Sequence, residues 1–596
     1  MKRPLAFAGM IAFFISAAGR TDAAPGGATT AIVGATVFDS TGAAPYRATV
    51  LIQGDRIVAV GTNVKVPSRA KIIDASGEAL VPGFYDLHTH WTASGDPGVT
   101  PAIANAYVST GVTTSNDFNS SPEAFAARRK WLASLAIAPH VNLCGRLSTP
   151  GGHGADWADT ATTKMIVTPQ SARDGVDQIV PYKPDCLGEV MVDGWRYGLS
   201  PDDTSMNEDA LVALVDEAHK YDIPVLTHIL RTQKAVEAGH AKVDVIAHAL
   251  QDLPLTDEQV EAIKKGGDYF APTLAVYDPD KPGRRAQAGT DAARRARANA
   301  NWSNAVSNTK KLYDAGVPIA AGTDGGMPGT PHGKSSLREM ELLVQAGLSP
   351  SAALIAATAN SARIMRQLAD RGTIEPGKRA DIVLIKGAPW TNIADVEKTD
   401  RVFIDGKLVF GPGAPPLNAI TPMPAIAVAP LVADFERADG RTSLDTLVVT
   451  EPDGGIERSI EVIDTVAREN SGHALSMMGK MAIKPDAQIA VVLPLTKGSI
   501  QPADLRKYKG IKLDLRGDGP YEVELNTLSG TYSATIIGSA KWHTVDVPFA
   551  DLKKQKGRAE FATTGWTGDD VTEIEIKAVR KGGEKAWLLL DNVGFY

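Results

Sequence analysis

Between about Val81 and Asp370, short apolar runs alternate with stretches of helical period. "APHVNLCGR", "DCLGEVMVDG", "IPVLTHIL", "VDVIAHAL", "YFAPTLAVY" and "VPIAAGTDGG" read as buried strands. "NEDALVALVDEAHKY", "TDEQVEAIKKGG" and "SSLREMELLVQAG" place apolar residues at helical spacing behind polar capping residues. Strand followed by helix, repeated over roughly 290 residues, predicts an α/β architecture in which 81–371 form a (β/α)8 TIM barrel. An open doubly wound sheet is the competing arrangement, but no GxGxxG turn follows an early strand.

A barrel leaves much of the 596-residue chain to be placed. Residues 29–80 are short, β-like and punctuated by turns such as Gly54-Asp55, and a similar texture returns in 372–411. The two blocks predict one small composite β-sandwich domain built from both ends of the catalytic region. Residues 412–430 hold six prolines, too many for a regular helix or central strand, and read as a semi-stiff linker. From 431 to 596 apolar and polar residues alternate between turns, as in "GIKLDLRGDGPYEVELNTLSG" and "KAWLLLDNVGFY". That pattern predicts an antiparallel, jelly-roll-like β-sandwich.

Lys2 and Arg3 precede an apolar run from Pro4 to Ala18, and small residues suited to cleavage follow. Residues 1–24 therefore read as a signal peptide for export to the periplasm or the extracellular space. The run is shorter than the ~20 apolar residues a membrane span needs, so no stable membrane insertion is expected. A formal charge of −7 gives no support for binding nucleic acid. A homo-oligomer stays open as a partner, since no segment declares an interface. Cys144 and Cys186 sit in adjacent strand-like segments, and their pairing stays open.

Nine of the eleven histidines lie between His88 and His332. In "VPGFYDLHTHW", His88 and His90 are two apart and share a face of a strand. His228 ends "PVLTH", His248 ends "DVIAH", and Asp324 in "AAGTDGG" takes the same place on the last strand. Barrel strands direct their C-terminal ends to one mouth, so these groups are expected to meet. Imidazoles with a carboxylate suit Zn²⁺, in one or two copies, with Mn²⁺ or Co²⁺ as alternatives.

These motifs, with "HGKSSLREMELLVQAGLSPSAALIAATANSARIM" and "GTIEPGKRADIVLI", resemble the metal-dependent amidohydrolase superfamily, in its imidazolonepropionase-like and prolidase-like branch. The resemblance implies hydrolysis at a carbon bonded to nitrogen or oxygen. It assigns His88 and His90 to one metal, His228 and His248 to a second, and to Asp324 both ligation and proton transfer. Relatives bridge two metals with a carboxylated lysine or a glutamate; here Glu189 falls at or beside that position. His153, in a glycine-rich loop, matches a loop histidine that relatives place near substrate. Tyr197 is a candidate donor to the developing oxyanion, and Arg231 a candidate partner for a substrate carboxylate. His332 is expected either to reach the mouth or to cap locally, while His219 and His240 read as helix and turn residues.

The C-terminal region resembles the complex I intermediate-associated protein 30-like, galactose-binding-like modules through "DFERADG", "WHTVDVPFADL" and "WLLLDNVGFY". Trp542 and Trp566 could stack on a glycan there, although aromatic residues on such strands belong more often to the core. The leading expectation is an exported hydrolase of a small-molecule amide, dipeptide-like or cyclic. A lactonase or ester hydrolase at the same metals, and a catalytically lapsed binding protein with a glycan-binding module, are the alternatives.

Overall fold

The computed structural model describes residues 29–91, 99–150, 152–153, 163–193, 204–281, 292–454, 457–469, 472–557 and 565–596. The expected signal peptide and Tyr197 lie outside the described residues.

The N-terminal strands are β1 (Thr29–Val37), β2 (Tyr46–Gln53), β3 (Arg56–Gly61), β4 (Lys71–Asp74) and β5 (Glu78–Pro82). Gly83 then turns the chain into a second sheet. A Cβ on Gly83 would stand 2.1 Å from Thr113 Oγ1, so the junction has room only for glycine. The second sheet contains β6 (Phe84–Thr89), β7 (Val112–Asp117), β8 (His140–Ser148), β9 (Thr163–Met165), β10 (Cys186–Met191), β11 (Val225–His228), β12 (Val245–Ala247) and β13 (Tyr269–Ala271). Seven of these follow the order β13-β12-β11-β10-β8-β7-β6, with β9 on β8, and every pairing is parallel. The segment around Ile319–Gly325 bridges both edges, through Phe270 with Ile319 and Thr89 with Gly325, so the sheet is nearly closed and barrel-like.

Helices cover its outside because each offers an apolar stripe. Glu208–Lys220 buries Leu211, Leu214, Val215 and Ala218, and Asn207 caps it by accepting from Ala210 N–H at 2.8 Å. Asp257–Gly266 begins with a reciprocal Thr256–Gln259 capping box and stops at Gly267 in a left-handed conformation. Tyr85, Leu87, Phe118, Leu226 and Ala271 belong to one buried cluster with Cys144 and Cys186. Those cysteines are register partners on β8 and β10, with Cα atoms 4.6 Å apart, and are joined as a disulfide.

Three later strands, β14 (Ile382–Lys386), β15 (Thr399–Ile404) and β16 (Lys407–Phe410), complete an eight-stranded sheet with the N-terminal ones, because β14 pairs with β5 along its whole length. The two ends of the catalytic region thus close on each other. The Pro-rich stretch that follows is pinned to the barrel: Asn418 and Asn105 exchange amide hydrogen bonds, and Asn418 Nδ2 donates to the Ile137 carbonyl at 2.6 Å. Beyond it, an eight-stranded and a six-stranded sheet, almost wholly antiparallel, share one hydrophobic core. Trp566 packs against Phe549 and Tyr532 beside that core, whereas half-buried Trp542 lies under the Arg468 guanidinium. Among the described residues, no helix is long and apolar enough to cross a membrane.

Candidate metal centre

Strict alternation along β6 would send Thr89 inward after Tyr85 and Leu87. The register against β7 instead shifts between Asp86 and Thr89, and His88 and His90 enter the barrel mouth. A second shift, between Leu187 and Val190 on β10, brackets Glu189. His248 and Asp324 hold left-handed backbone conformations at φ 75° and 62°. Such strain, on the order of 1 kcal/mol or more per residue, persists where the surrounding fold imposes it.

The six expected ligands converge. His88 Nε2 stands 3.5 Å from Glu189 Oε1 and 3.8 Å from Asp324 Oδ1. His90 Nε2 stands 2.9 Å from Asp324 Oδ1 and 3.7 Å from Glu189 Oε2. His228 Nδ1 and His248 Nε2 approach Glu189 Oε1 at 2.8 and 3.6 Å. His153 joins them: its ring centroid lies 4.5 Å from that of His228, and its nitrogen groups with Glu189 and His228. Ligand atoms within 4.8 Å of one another form three triads here, His88–Glu189–His248, His88–His90–Asp324 and His153–Glu189–His228.

Neighbours fix which nitrogen faces inward. Arg146 Nη2 is 3.1 Å from the Asn119 side-chain oxygen, and a guanidinium can only donate, so that atom is an acceptor. The same oxygen lies 3.1 Å from His90 Nδ1, which must donate to it, leaving the Nε2 lone pair to the mouth. His248 Nδ1 meets Thr273 Oγ1 at 2.8 Å, which turns its Nε2 the same way. Asp86, buried behind His88, accepts from Thr323 N–H and Oγ–H at 3.0 and 2.7 Å and from Ser336 Oγ–H at 2.7 Å. It thereby ties β6 to the segment bearing Asp324, and burial pushes its carboxyl up to about 6 despite those donors.

Burial would push the Glu189 carboxyl up, but the imidazoles of His228, His248 and His88 and the charge on His90 hold it well below the usual range. Asp324 is likewise held low, against burial, by His90 and the surrounding histidines. Burial depresses His90, yet Asp324 and Glu189 carry it up to about 8. His228 and His248 are lowered by burial and by neighbouring imidazoles, and His153 is lowered further for the same reasons. The pocket therefore combines two carboxylates and a raised His90 with three imidazoles, on His153, His228 and His248, that are held neutral. His88 Nε2, His248 Nε2 and Glu189 Oε2 are buried without a well-aligned hydrogen-bond partner. Buried polar atoms left so are costly unless something else satisfies them, and this donor set fits a divalent cation.

Arg231 lies just beyond His228 but is already engaged: its Nε donates to Asp193 at 2.8 Å and its Nη2 to Ser205 at 2.7 Å. His332 turns toward Tyr107, 2.9 Å from its hydroxyl, and burial pulls its imidazole down to about 4. His219 and His240 lie on the outer helices, paired with Asp244 and Glu208. The sequence reading missed Asn119, Arg146, Thr273 and Asp86; of these only Asp86 carried a local signal, two residues before the HxH pair.

Imidazoles and carboxylates at the C-terminal mouth of parallel barrel-like strands make a candidate site for divalent metal. The chain belongs to the amidohydrolase family, whose model matches residues 79–409. As a member of that family it is a hydrolase. Imidazolonepropionase of Streptomyces griseus subsp. griseus is 28% identical over 374 residues, spanning 58% of this chain and 87% of that protein. Among solved structures, a Xaa-Pro dipeptidase with methionine bound in its active site aligns with a TM-score of 0.56 at 22% identity, covering 64% of this chain and all of that one. The A. niger ochratoxinase aligns at 0.57 and 21%, over 66% and 98%. These two likenesses concern the fold.

Proposed function

We propose that the protein is an exported, metal-dependent amidohydrolase on a (β/α)8 barrel, cleaving an amide in a dipeptide-like or cyclic small molecule. The convergence of His88, His90, Glu189, His228, His248 and Asp324 on one buried pocket carries this reading. Similarity to imidazolonepropionases directs it toward carbon–nitrogen bonds. His88, His90 and Asp324 would hold one Zn²⁺, His228 and His248 a second, with Glu189 shared between them; Mn²⁺ and Co²⁺ suit the same donors. When bound, such an ion acidifies water and polarises a carbonyl oxygen.

The chain's own groups divide the rest of the work. The Asp324 side chain, 13% exposed against 0–5% for the other five, is the more open of the two carboxylates; the surrounding histidines keep it ionised, so it is available to take a proton and gives it up readily to a leaving nitrogen. His153 flanks His228 and orients the substrate. Arg231 borders the mouth and takes a substrate carboxylate in competition with Asp193. Tyr197 is assigned the oxyanion. The direct test is the full chain loaded with Zn²⁺, Mn²⁺ or Co²⁺ and offered dipeptides, N-acyl amino acids, cyclic amides, lactones and aryl esters. Amide turnover is expected; turnover of lactones alone would retire the amidase reading.

A further inference from the structure

The loop after β7 touches the metal centre at one end and the C-terminal sheets at the other. Asn119 in this loop orients His90, as described above. Asp117 ties the same loop to the residue after His90, accepting from Trp91 N–H at 3.1 Å and Asn119 N–H at 3.0 Å, and it also accepts from Ser120 Oγ–H at 2.6 Å. Four residues past Asn119, Glu123 is buried, and both its oxygens accept from Arg441 Nη2 at 2.8 and 2.7 Å. Arg441 belongs to the C-terminal region, on the connection between strands Leu431–Ala433 and Val449–Thr450, and its side chain is 15% exposed.

The contact extends beyond one ion pair. Ala124 and Trp131 from the barrel form a hydrophobic cluster with Met423 of the Pro-rich stretch and Ile500, which follows a short turn in the C-terminal region. Gly498 approaches so closely that a Cβ on it would stand 2.6 Å from Ala124 Cβ and 2.7 Å from Ser121 Oγ. The Tyr182 hydroxyl also faces Glu123, and burial with that carboxylate pushes it up to about 12.

We propose that Arg441 is a positioning residue for the metal centre, acting through Glu123 and the Asp117–Ala124 loop on Asn119 and thence His90. The C-terminal sheets are on this view a structural part of the catalytic unit. An exposed ion pair would be screened and weak, whereas this carboxylate is buried, so losing its partner releases the loop. The inference rests on the metal-centre reading, and the two fail separately: Zn²⁺ binding by the unaltered chain tests that reading, and the ratio of variant to unaltered chain tests Arg441.

The experiment uses full-length chains carrying R441M, R441K, E123Q or N119A, and the double variant R441M/N119A. Zn²⁺ affinity is read by chelator competition, and amide exchange over the loop is read on the metal-free chain. N119A is expected to weaken Zn²⁺ about 10- to 100-fold, the usual effect of removing a ligand's hydrogen-bond partner. R441M is expected to cost about three- to tenfold, to speed loop exchange, and to add little in the N119A background, because both act on one imidazole. R441K should restore most of the loss, since one nitrogen spans both Glu123 oxygens. Should R441M fail to fold, E123Q carries the same expectation. Folded variants with Zn²⁺ affinity within twofold of the unaltered chain and unchanged loop exchange would overturn the proposal.

Discussion

Glu189→Gln isolates one negative charge with little change in shape. The carboxylate is 2% exposed, and its oxygens lie 2.8–3.7 Å from four imidazole nitrogens. At 3.5 Å and an effective dielectric of about 20, one unit of charge is attracted by about 5 kcal/mol. If relaxation and the amide dipole recover about half, some 2.5 kcal/mol is lost per unit of positive charge, close to 70-fold in binding. A dication among these nitrogens should therefore bind at least about 100-fold more weakly to the variant. Chelator competition with Zn²⁺ on the full chain measures this, with circular dichroism to confirm folding. A folded Gln variant that binds Zn²⁺ within threefold of the unaltered chain would refute the reasoning, because Glu189 would then lie outside the binding set.

Asp324→Asn should weaken Zn²⁺ binding, and at Zn²⁺ concentrations that saturate the variant, turnover of an amide substrate should still fall about 10²- to 10⁴-fold, the range for removing a general acid–base; near-normal turnover with metal bound would show that the proton travels elsewhere. Asp268 is buried without a hydrogen-bond partner for either oxygen, and burial with the nearby Asp244 charge pushes it up to about 8. The folded chain therefore holds a proton there that the unfolded chain releases above pH ~4, so this residue's contribution to stability falls as pH rises from about 4 to 8. Asp268→Asn should stabilise the chain by about 1–3 kcal/mol at pH 8 and lose that gain near pH 4, as read by denaturant unfolding at both values. Gly83→Ala should destabilise by roughly 2–4 kcal/mol, since its Cβ would stand within 2.7 Å of three Thr113 side-chain atoms; melting within a degree of the unaltered chain would show that the junction yields.

The alternation of apolar runs and helical stretches announced parallel strands with helices between them, and β6 to β13 follow it. Because such strands share one mouth, the placing of His88, His90, His228, His248 and Asp324 together needed only the strand ends. Glu189 was a different case. A lone glutamate in "DCLGEVMVDG" carries no local sign of a role, and only the resemblance singled it out. The pairing of Cys144 with Cys186 was open because adjacent strands fix no register, and register is what places these two opposite each other. The Pro-rich stretch read as a linker, yet Asn418 pins it to the barrel, since a polar side chain in such a segment does not disclose its partner 313 residues away. Trp566, partly buried and outside the strands, packs on Phe549 and Tyr532 beside the core of the C-terminal sheets.

Residue order alone settled the periods of the strands and helices and the chemical kinds of the groups at their ends, because both depend on neighbours within a few positions. Folding decided the contacts that make those groups a centre: the slip in β6 that brings His88 and His90 inward, the Arg146–Asn119 pair that chooses the His90 nitrogen, and the Arg441–Glu123 bond that holds their loop. A hydrogen bond needs its two atoms within about 3 Å in the right direction. For residues hundreds of positions apart, only register, bulges and packing set that distance.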